Sequence, residues 1–158
     1  MKKVLSFLSA IIFNVSIFST IVSCGTGKNT LIGEELEYID KKSDKDLCEI
    51  LENEIIVDKS LNYDYEDSNF LEDKNKKIPG SLIDKKFFNP IKKLFKQTTD
   101  LKESSLEGND REQRFITIAG KKKDIEFTLN FVIYRVFSNS SNYKFGAEFF
   151  KKIKIPQE

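Results

Sequence analysis

Residues 25–30, Gly-Thr-Gly-Lys-Asn-Thr, have the glycine and lysine content of a loop that binds phosphate. Such a loop requires a glycine, four residues and then Gly-Lys-Ser/Thr, because its backbone N–H groups surround the phosphates and its hydroxyl coordinates magnesium. When Gly27 and Lys28 are aligned with this pattern, Val22 takes the place of the first glycine and Asn29 that of the hydroxyl residue. We therefore interpret the segment as a flexible stretch of chain.

A second group of residue types suited to chemistry lies in an acidic segment. Asn62, Asp64 and Glu66 alternate as the ligands of a calcium loop do, and Asp73 falls at the twelfth position. A calcium loop has glycine at its sixth position, where this chain has Asp67, and a bidentate glutamate at its twelfth. We therefore interpret the segment as a solvated surface loop and keep these residues as metal candidates only for an alternative hypothesis.

The chain has no histidine. This absence removes the commonest general base, the usual zinc ligand and every Ser-His or Cys-His nucleophile pair. One of the two cysteines, Cys48, lies at the edge of the apolar stripe of a predicted helix and has acidic neighbours. Because nearby negative charge raises the pKa of a thiol, we interpret Cys48 as a small buried residue and not as a nucleophile.

The first 24 residues differ in composition from the rest of the chain. Lys2 and Lys3 are the only charged residues before Lys28, and an uncharged, mostly apolar run over 4–23 follows them. A basic start, an apolar run and small residues at a cleavage site are the pattern of a secretory signal. Without this segment the chain has 24 basic and 25 acidic residues, a formal charge of −1. Such a balance gives no electrostatic basis for binding nucleic acid.

The opening sequence MKKVLSFL and the sequence IVSC at residues 21–24 together resemble the leaders of bacterial lipoproteins, most closely those of mollicutes, which are wall-less bacteria. The resemblance implies cleavage before Cys24, a diacylglycerol thioether on the Cys24 thiol and attachment to the outer face of the cell membrane. Two acyl chains anchor a protein stably, since each buried CH₂ contributes ~0.8 kcal/mol. Lipidation of Cys24 would also leave Cys48 without a disulfide partner.

Two other fates of this leader stay open. An ordinary signal peptidase would release the protein after cutting near the small residues Ser23 and Gly25. Alternatively, the run over 4–23 would remain as a membrane helix, because about 20 residues at ~1.5 Å each reach across a ~30 Å hydrocarbon core. The serine, threonine and asparagine residues within the run disfavour this second fate, since they lower its hydrophobicity.

The remaining chain has to position any site, and its pattern predicts two helices. Apolar residues follow Ser43 at helical spacing, and Asp46 stands where it can complete a capping box, which predicts a helix over 44–56. Asn89 and Pro90 are a helix start, because asparagine caps and proline fits the first helical position. A second helix is therefore predicted over 90–99.

Three segments near the C-terminus alternate between apolar and polar residues, which predicts strands over about 113–119, 124–137 and 143–155. Short polar turns join them, so an antiparallel meander is expected. The third strand is predicted to place these residues on one face: Phe145, Ala147, Phe149, Ile153 and Ile155. We interpret the lysines at 121–123 and at 151, 152 and 154 as solubilising residues that protect a sheet edge, with a patch for anionic headgroups as the alternative.

These observations predict an α+β fold in a small single domain, with two helices followed by a three-stranded antiparallel meander. The predicted organisation is a signal peptide over 1–23, a lipidated cysteine with a flexible tether over 24–42, and the domain over 43–158. The expected function is that of a non-enzymatic lipoprotein at the outer face of the membrane. Its expected partners are the membrane and an extracellular protein or ligand, without nucleic acid and without a cofactor beyond the diacylglycerol on Cys24. The alternative is a metal-dependent extracellular hydrolase that uses the acidic loop 62–73.

Overall fold

The computed structural model describes residues 28–69, 77–107, 110–137 and 143–157. Within these ranges, strands greatly outnumber helices, and no helix is long and apolar enough to cross a membrane. The elements in chain order are β1 (Lys28–Leu31), β2 (Glu34–Glu35), α1 (Asp44–Leu51), β3 (Ile56–Val57), β4 (Ser60–Leu61), β5 (Ser68–Asn69), β6 (Lys77–Ile78), β7 (Ser81–Leu82), a 3₁₀ turn (Lys85–Phe87), α2 (Phe88–Lys92), β8 (Ser104–Glu107), β9 (Asp110–Ala119), β10 (Glu126–Val136) and β11 (Tyr143–Lys154).

The predicted fold class is wrong, because the domain is built on a mixed sheet of seven strands and not on a three-stranded meander. The order β1-β11-β10-β9-β7 forms the main path, while β2 pairs with another part of β11 and β8 with another part of β9. The strands β1 and β2 run parallel to β11, whereas the other pairs in the sheet are antiparallel. The four added strands have two to four residues each, too few to show an alternating pattern in the sequence.

The three predicted strands are present as β9, β10 and β11 and pair antiparallel in the centre of the sheet. Their faces differ from the prediction at one point. The pairing shifts from Phe131 opposite Phe149 to Val132 opposite Ala147, so that Glu148 is an extra residue in β11. Such a bulge reverses the alternation of the side chains beyond it. The residues predicted on one face of the third strand are therefore divided: Phe145 packs on one side of the sheet and Ile153 on the other.

The first helix begins as predicted and ends early. The amide of Ser43 donates to Asp46 Oδ2 at 3.0 Å, which forms part of the predicted capping box. The helix buries Leu47 and Leu51 and then stops, because Asn53 has a φ of +69° and the chain turns into the β3–β4 hairpin. The prediction of a helix over 44–56 is thus correct only for its first two turns.

The second helix is displaced from its predicted range of 90–99. Asp84, and not Asn89, accepts a backbone hydrogen bond at the start, and the 3₁₀ turn leads directly into α2. Beyond Lys92 the helix ends, and the chain runs beside the segment that contains Ile39. The amide of Ile39 donates to the carbonyl of Leu94 at 2.9 Å. The apolar residues at helical spacing over 91–98 are therefore explained by burial, as at Leu94, and not by a continuing helix.

Both faces of the sheet are covered, but to different extents. The main core lies between one face and α1, the 3₁₀ turn and α2, and its largest fully buried side chains include Phe95 and Phe131. A smaller core on the opposite face contains Ile78, Val132 and Phe145. These two cores hold the long strands in register and so fix the surfaces along the sheet edges.

Candidate functional site

Cys24, the predicted lipidation site, lies outside the described residues, and so does Asp73. The predicted tether of 24–42 contains β1 and β2, so only residues 25–27 separate Cys24 from the first strand. The signal peptide of 1–23 and the domain boundaries stay predictions.

The described residues of the acidic loop are exposed or half-buried and bind other parts of the chain. Asp64 Oδ1 accepts from the amide of Lys122 at 2.8 Å, and Asp67 Oδ1 accepts from the amide of Gly80 at 2.9 Å. Asn62 Oδ1 accepts from the hydroxyl of Tyr65 at 2.7 Å. These side chains therefore hold the loop against its neighbours and do not converge on a common point.

Glu66 takes part through its backbone, since its carbonyl accepts from the hydroxyl of Ser81 at 3.1 Å. Across the described ranges, no group of three or more cysteine or carboxylate side chains is arranged to hold a metal ion. The structure thus does not bring Asn62, Asp64 and Glu66 together as ligands, and the calcium-like spacing follows from an acidic surface loop.

Cys48 is buried on α1, with its Sγ 3.9 Å from the carbonyl oxygen of Lys154. Burial, and then the negative charge of Asp44, raise the pKa of this thiol from 9.0 to about 12. The thiol is therefore protonated at neutral pH, as a structural cysteine is. A wide groove beside it is open to solvent and is lined by apolar residues such as Ile56 and Pro156 and by charged ones such as Lys45 and Glu49.

The lysine clusters predicted from the sequence have different surroundings. Lys121, Lys122 and Lys123 are exposed at the turn between β9 and β10. In the second cluster, Lys151 is half-buried and its Nζ donates to the carbonyl of Leu36 at 3.0 Å, whereas Lys152 and Lys154 are exposed. The second cluster therefore does not form one continuous basic surface, because its members lie on both faces of β11.

A concave site lies at the edge of β9. Strand β8 pairs with the first part of β9, as far as Gln113, and β7 pairs with Thr117 and Ile118 near its end. The gap between β7 and β8 along this edge is a cleft of about 310 Å³, which we call the β9 cleft. It is lined by Leu82, Ile83, Asp84, Lys85, Phe88, Glu103, Ser104 and residues 113–116.

The β9 cleft has an apolar floor and a charged rim. Phe88 and Ile116 are almost fully buried and belong to the main core, so the floor is rigid. At the rim, Lys85 Nζ lies 2.7 Å from Glu103 Oε1 and joins the 3₁₀ turn to the segment before β8. Its volume is at the small end of the ~300–1,000 Å³ typical of ligand pockets. Its size suits a small ligand or one or two residues of an extended peptide.

On one side of the cleft, which Arg114 helps to line, charged side chains replace apolar ones on the core-facing side of the sheet. This ionic row consists of Asp110, Glu112, Arg114, Arg135 and Glu148. The Arg114 guanidinium contacts Glu112 and binds Glu148 through Nε at 2.6 Å and Nη2 at 3.3 Å. Arg135 lies 3.0 Å from Asp110 Oδ2 and 3.3 Å from Glu112 Oε2.

The ionic row is mostly shielded from water, since the side chains of Arg114 and Glu112 are only 11% and 8% exposed. Burial alone would lower the pKa of Arg114, but the hydrogen bond and charge of Glu148, followed by Glu112, hold that pKa above its ordinary value. The Arg114 guanidinium binds two carboxylates and Arg135 also binds two through its terminal nitrogens, while the buried Arg135 Nε has no hydrogen-bond partner among the described residues. The bulge at Glu148 brings this carboxylate to Arg114, so the row links β9 to β11 across the sheet.

Sequence reasoning missed both the β9 cleft and the ionic row. A signal for the row was present, because Asp110, Glu112 and Arg114 alternate in phase with Ile116 and Ile118 and so share the face of β9 that is buried farther along. The cleft had no such signal, since it depends on two short strands that meet β9 only in the folded protein.

A scan against protein-family models found no match, and searches of curated proteins and of solved structures found no similar protein.

Proposed function

We propose that this protein is a lipid-anchored surface lipoprotein whose domain is a non-enzymatic binding module, with the β9 cleft as its binding site. The anchor is the Cys24 thiol, and the domain is displayed at the outer face of the cell membrane. The observation that supports a binding role is the β9 cleft, in which a rigid apolar floor meets a charged rim. Pockets of small ligands combine these two features, since apolar surface supplies affinity and a few polar groups orient the ligand.

The ligand expected for this cleft is small and amphipathic. Its apolar part would contact Phe88 and Ile116, and its polar part would reach Lys85 and Glu103 at the rim. Since the ion pair between these two side chains is partly exposed, a ligand that replaces one partner loses little free energy, as exposed pairs contribute only ~0–1 kcal/mol. A neutral or zwitterionic head group fits this rim better than a strongly charged one.

Metabolic labelling with a radioactive fatty acid tests the anchor. We expect the wild type to incorporate the label and C24A to lose it, because the thioether requires the Cys24 thiol. The matched control is C48S, which changes the other cysteine of the chain and should retain the label. An unlabelled wild type, or a labelled C24A, would refute lipidation at this residue.

Binding of the uncharged fluorescent dye Nile red, whose emission rises in apolar surroundings, tests the cleft. We expect saturable binding to the wild type and its loss in S104W, because Ser104 is exposed at the rim and a large side chain there would fill the cleft. K122W adds the same side chain at a remote exposed position and should bind like the wild type. Equal thermal midpoints for the three proteins would show that the dye does not report partial unfolding. Unchanged binding in S104W would contradict this assignment.

A further inference from the structure

The long strands give the sheet two distinct ends. At the first, which we call the near end, Lys28 lies opposite Tyr143, Tyr143 opposite Val136, and Val136 opposite Arg111. At the second, the far end, Lys154 lies opposite Glu126, and the turn over 120–125 joins β9 to β10. The chain therefore enters the sheet at the near end, and the exposed lysines 121–123 lie at the far end.

The entry point is part of the sheet itself. All four residues of β1 have register partners in β11, and β2 pairs farther along the same strand. The contact at Gly146 is close, since a Cβ on this glycine would lie 2.6 Å from the carbonyl oxygen of Leu31. Its φ of +134° is also one that other residues rarely adopt. Strand β1 is thus held at the sheet edge, and any tether ends at Lys28.

Chain length then limits the position of the domain relative to its anchor. Cys24 and Lys28 are four residues apart, so the chain between them spans at most ~14 Å even when fully extended. The 12 residues of β11, by contrast, span about 36 Å at ~3.3 Å per residue. A membrane anchor on Cys24 therefore keeps the near end close to the lipid, while the tether is too short to reach around the sheet to the far end.

We infer that the near end of the sheet faces anionic phospholipid headgroups and that the far end, with Lys121, Lys122 and Lys123, points away from the membrane. This orientation rests on the proposed lipidation of Cys24. Near-end residues include exposed Arg111 and half-buried Lys144, whose charges complement an anionic surface, while the acidic Asp110 at this end is paired with Arg135. The β9 cleft lies midway along the sheet edge and so stays open to the extracellular solution.

The inference is tested with the lipidated full-length protein, purified from the producing cells and reconstituted in vesicles of phosphatidylcholine and phosphatidylglycerol. Two variants in a C48S background, R111C and K122C, place a fluorophore at the near and far ends, both at exposed positions. The vesicles contain lipid with a quencher on its headgroup. We expect quenching to be several-fold stronger at position 111 than at position 122.

A matched control inserts about 20 glycine and serine residues between Gly27 and Lys28, a linker with an r.m.s. length of ~25 Å. We expect this insertion to reduce the difference between the two labels, because the near end is then no longer held at the surface. Equal quenching at both positions without the insertion, or stronger quenching at 122, would overturn the orientation while lipidation stands. Absence of the fatty acid from the purified protein would instead refute the proposed anchor, and the orientation with it.

Discussion

Substitution of Arg114 by methionine tests whether the ionic row stabilises the folded domain. The change R114M keeps most of the aliphatic stem and removes the charge, so that Glu148 loses its guanidinium partner and Glu112 one of two. The side chain of Arg114 is 11% exposed, that of Glu112 8% and that of Glu148 22%. The two carboxylates that remain in R114M are therefore poorly solvated. Breaking a buried pair by removing one partner costs about 3–5 kcal/mol, and we expect the free energy of unfolding to fall by this amount.

Two further variants separate the uncompensated charge from the loss of packing. The double variant R114M/E148Q removes the carboxylate that R114M strands, so we expect it to recover much of the lost free energy. K86M breaks an ion pair with Glu54 whose side chains are about half exposed, 51% and 50%. Because exposed pairs contribute only ~0–1 kcal/mol, K86M should have little effect.

Urea denaturation measures the free energy of unfolding of all four proteins, and equal m-values would show that they unfold over the same surface. The difference between R114M and the wild type should persist at high salt, since shielded charges are screened less than exposed ones. A cost of R114M no greater than that of K86M would refute the reasoning. So would a double variant that is less stable than R114M.

Three other changes have defined outcomes. Gly80→Ala should lower the free energy of unfolding by ~1–3 kcal/mol, because Gly80 has a φ of +76° and an added Cβ would collide with the Ile118 carbonyl oxygen. Thermal and urea unfolding measure this loss. Cys48 should resist iodoacetamide at pH 9 in the native protein and react in the unfolded one, because burial raises the pKa of its thiol from 9.0 to about 12. As the native state then keeps a proton that the unfolded state loses, Cys48 lowers the stability of the wild type relative to C48S as the pH rises from 9 to 12. Asp64→Ala should lower the free energy of unfolding by ~1 kcal/mol, because the Lys122 amide loses its hydrogen-bond acceptor. Millimolar calcium should leave the melting midpoint of the wild type unchanged. A rise of that midpoint with calcium would support the metal hypothesis.

The central strands were predictable because their signal is local. Phe127, Leu129 and Phe131 alternate with other residues over a long run, and strand geometry alone places them on one face. The start of the first helix was predictable for the same reason, since Ser43 and Asp46 are close in sequence. Prediction failed where helical spacing was produced by another structure, as at Phe95, which stacks on Tyr38 without being part of a helix.

The candidate site was less predictable than the strands. The residues singled out for their types, Asp64 and Asp67 among them, are used to hold turns of the chain. The floor of the β9 cleft is made of core residues such as Phe88, which carry no chemical signature. Only the alternation of charged and apolar residues along β9 would have indicated the ionic row.

The sequence by itself determined the features that depend on neighbouring residues: the alternation along the three long strands and the capping box of α1. Only the tertiary structure decided the four short strands, the bulge at Glu148 and the β9 cleft. The physical reason is the range of the interactions. Alternation and capping act within a few residues, whereas β1 pairs with a strand more than 100 residues away, so its hydrogen bonds depend on the position of β11 in the folded domain.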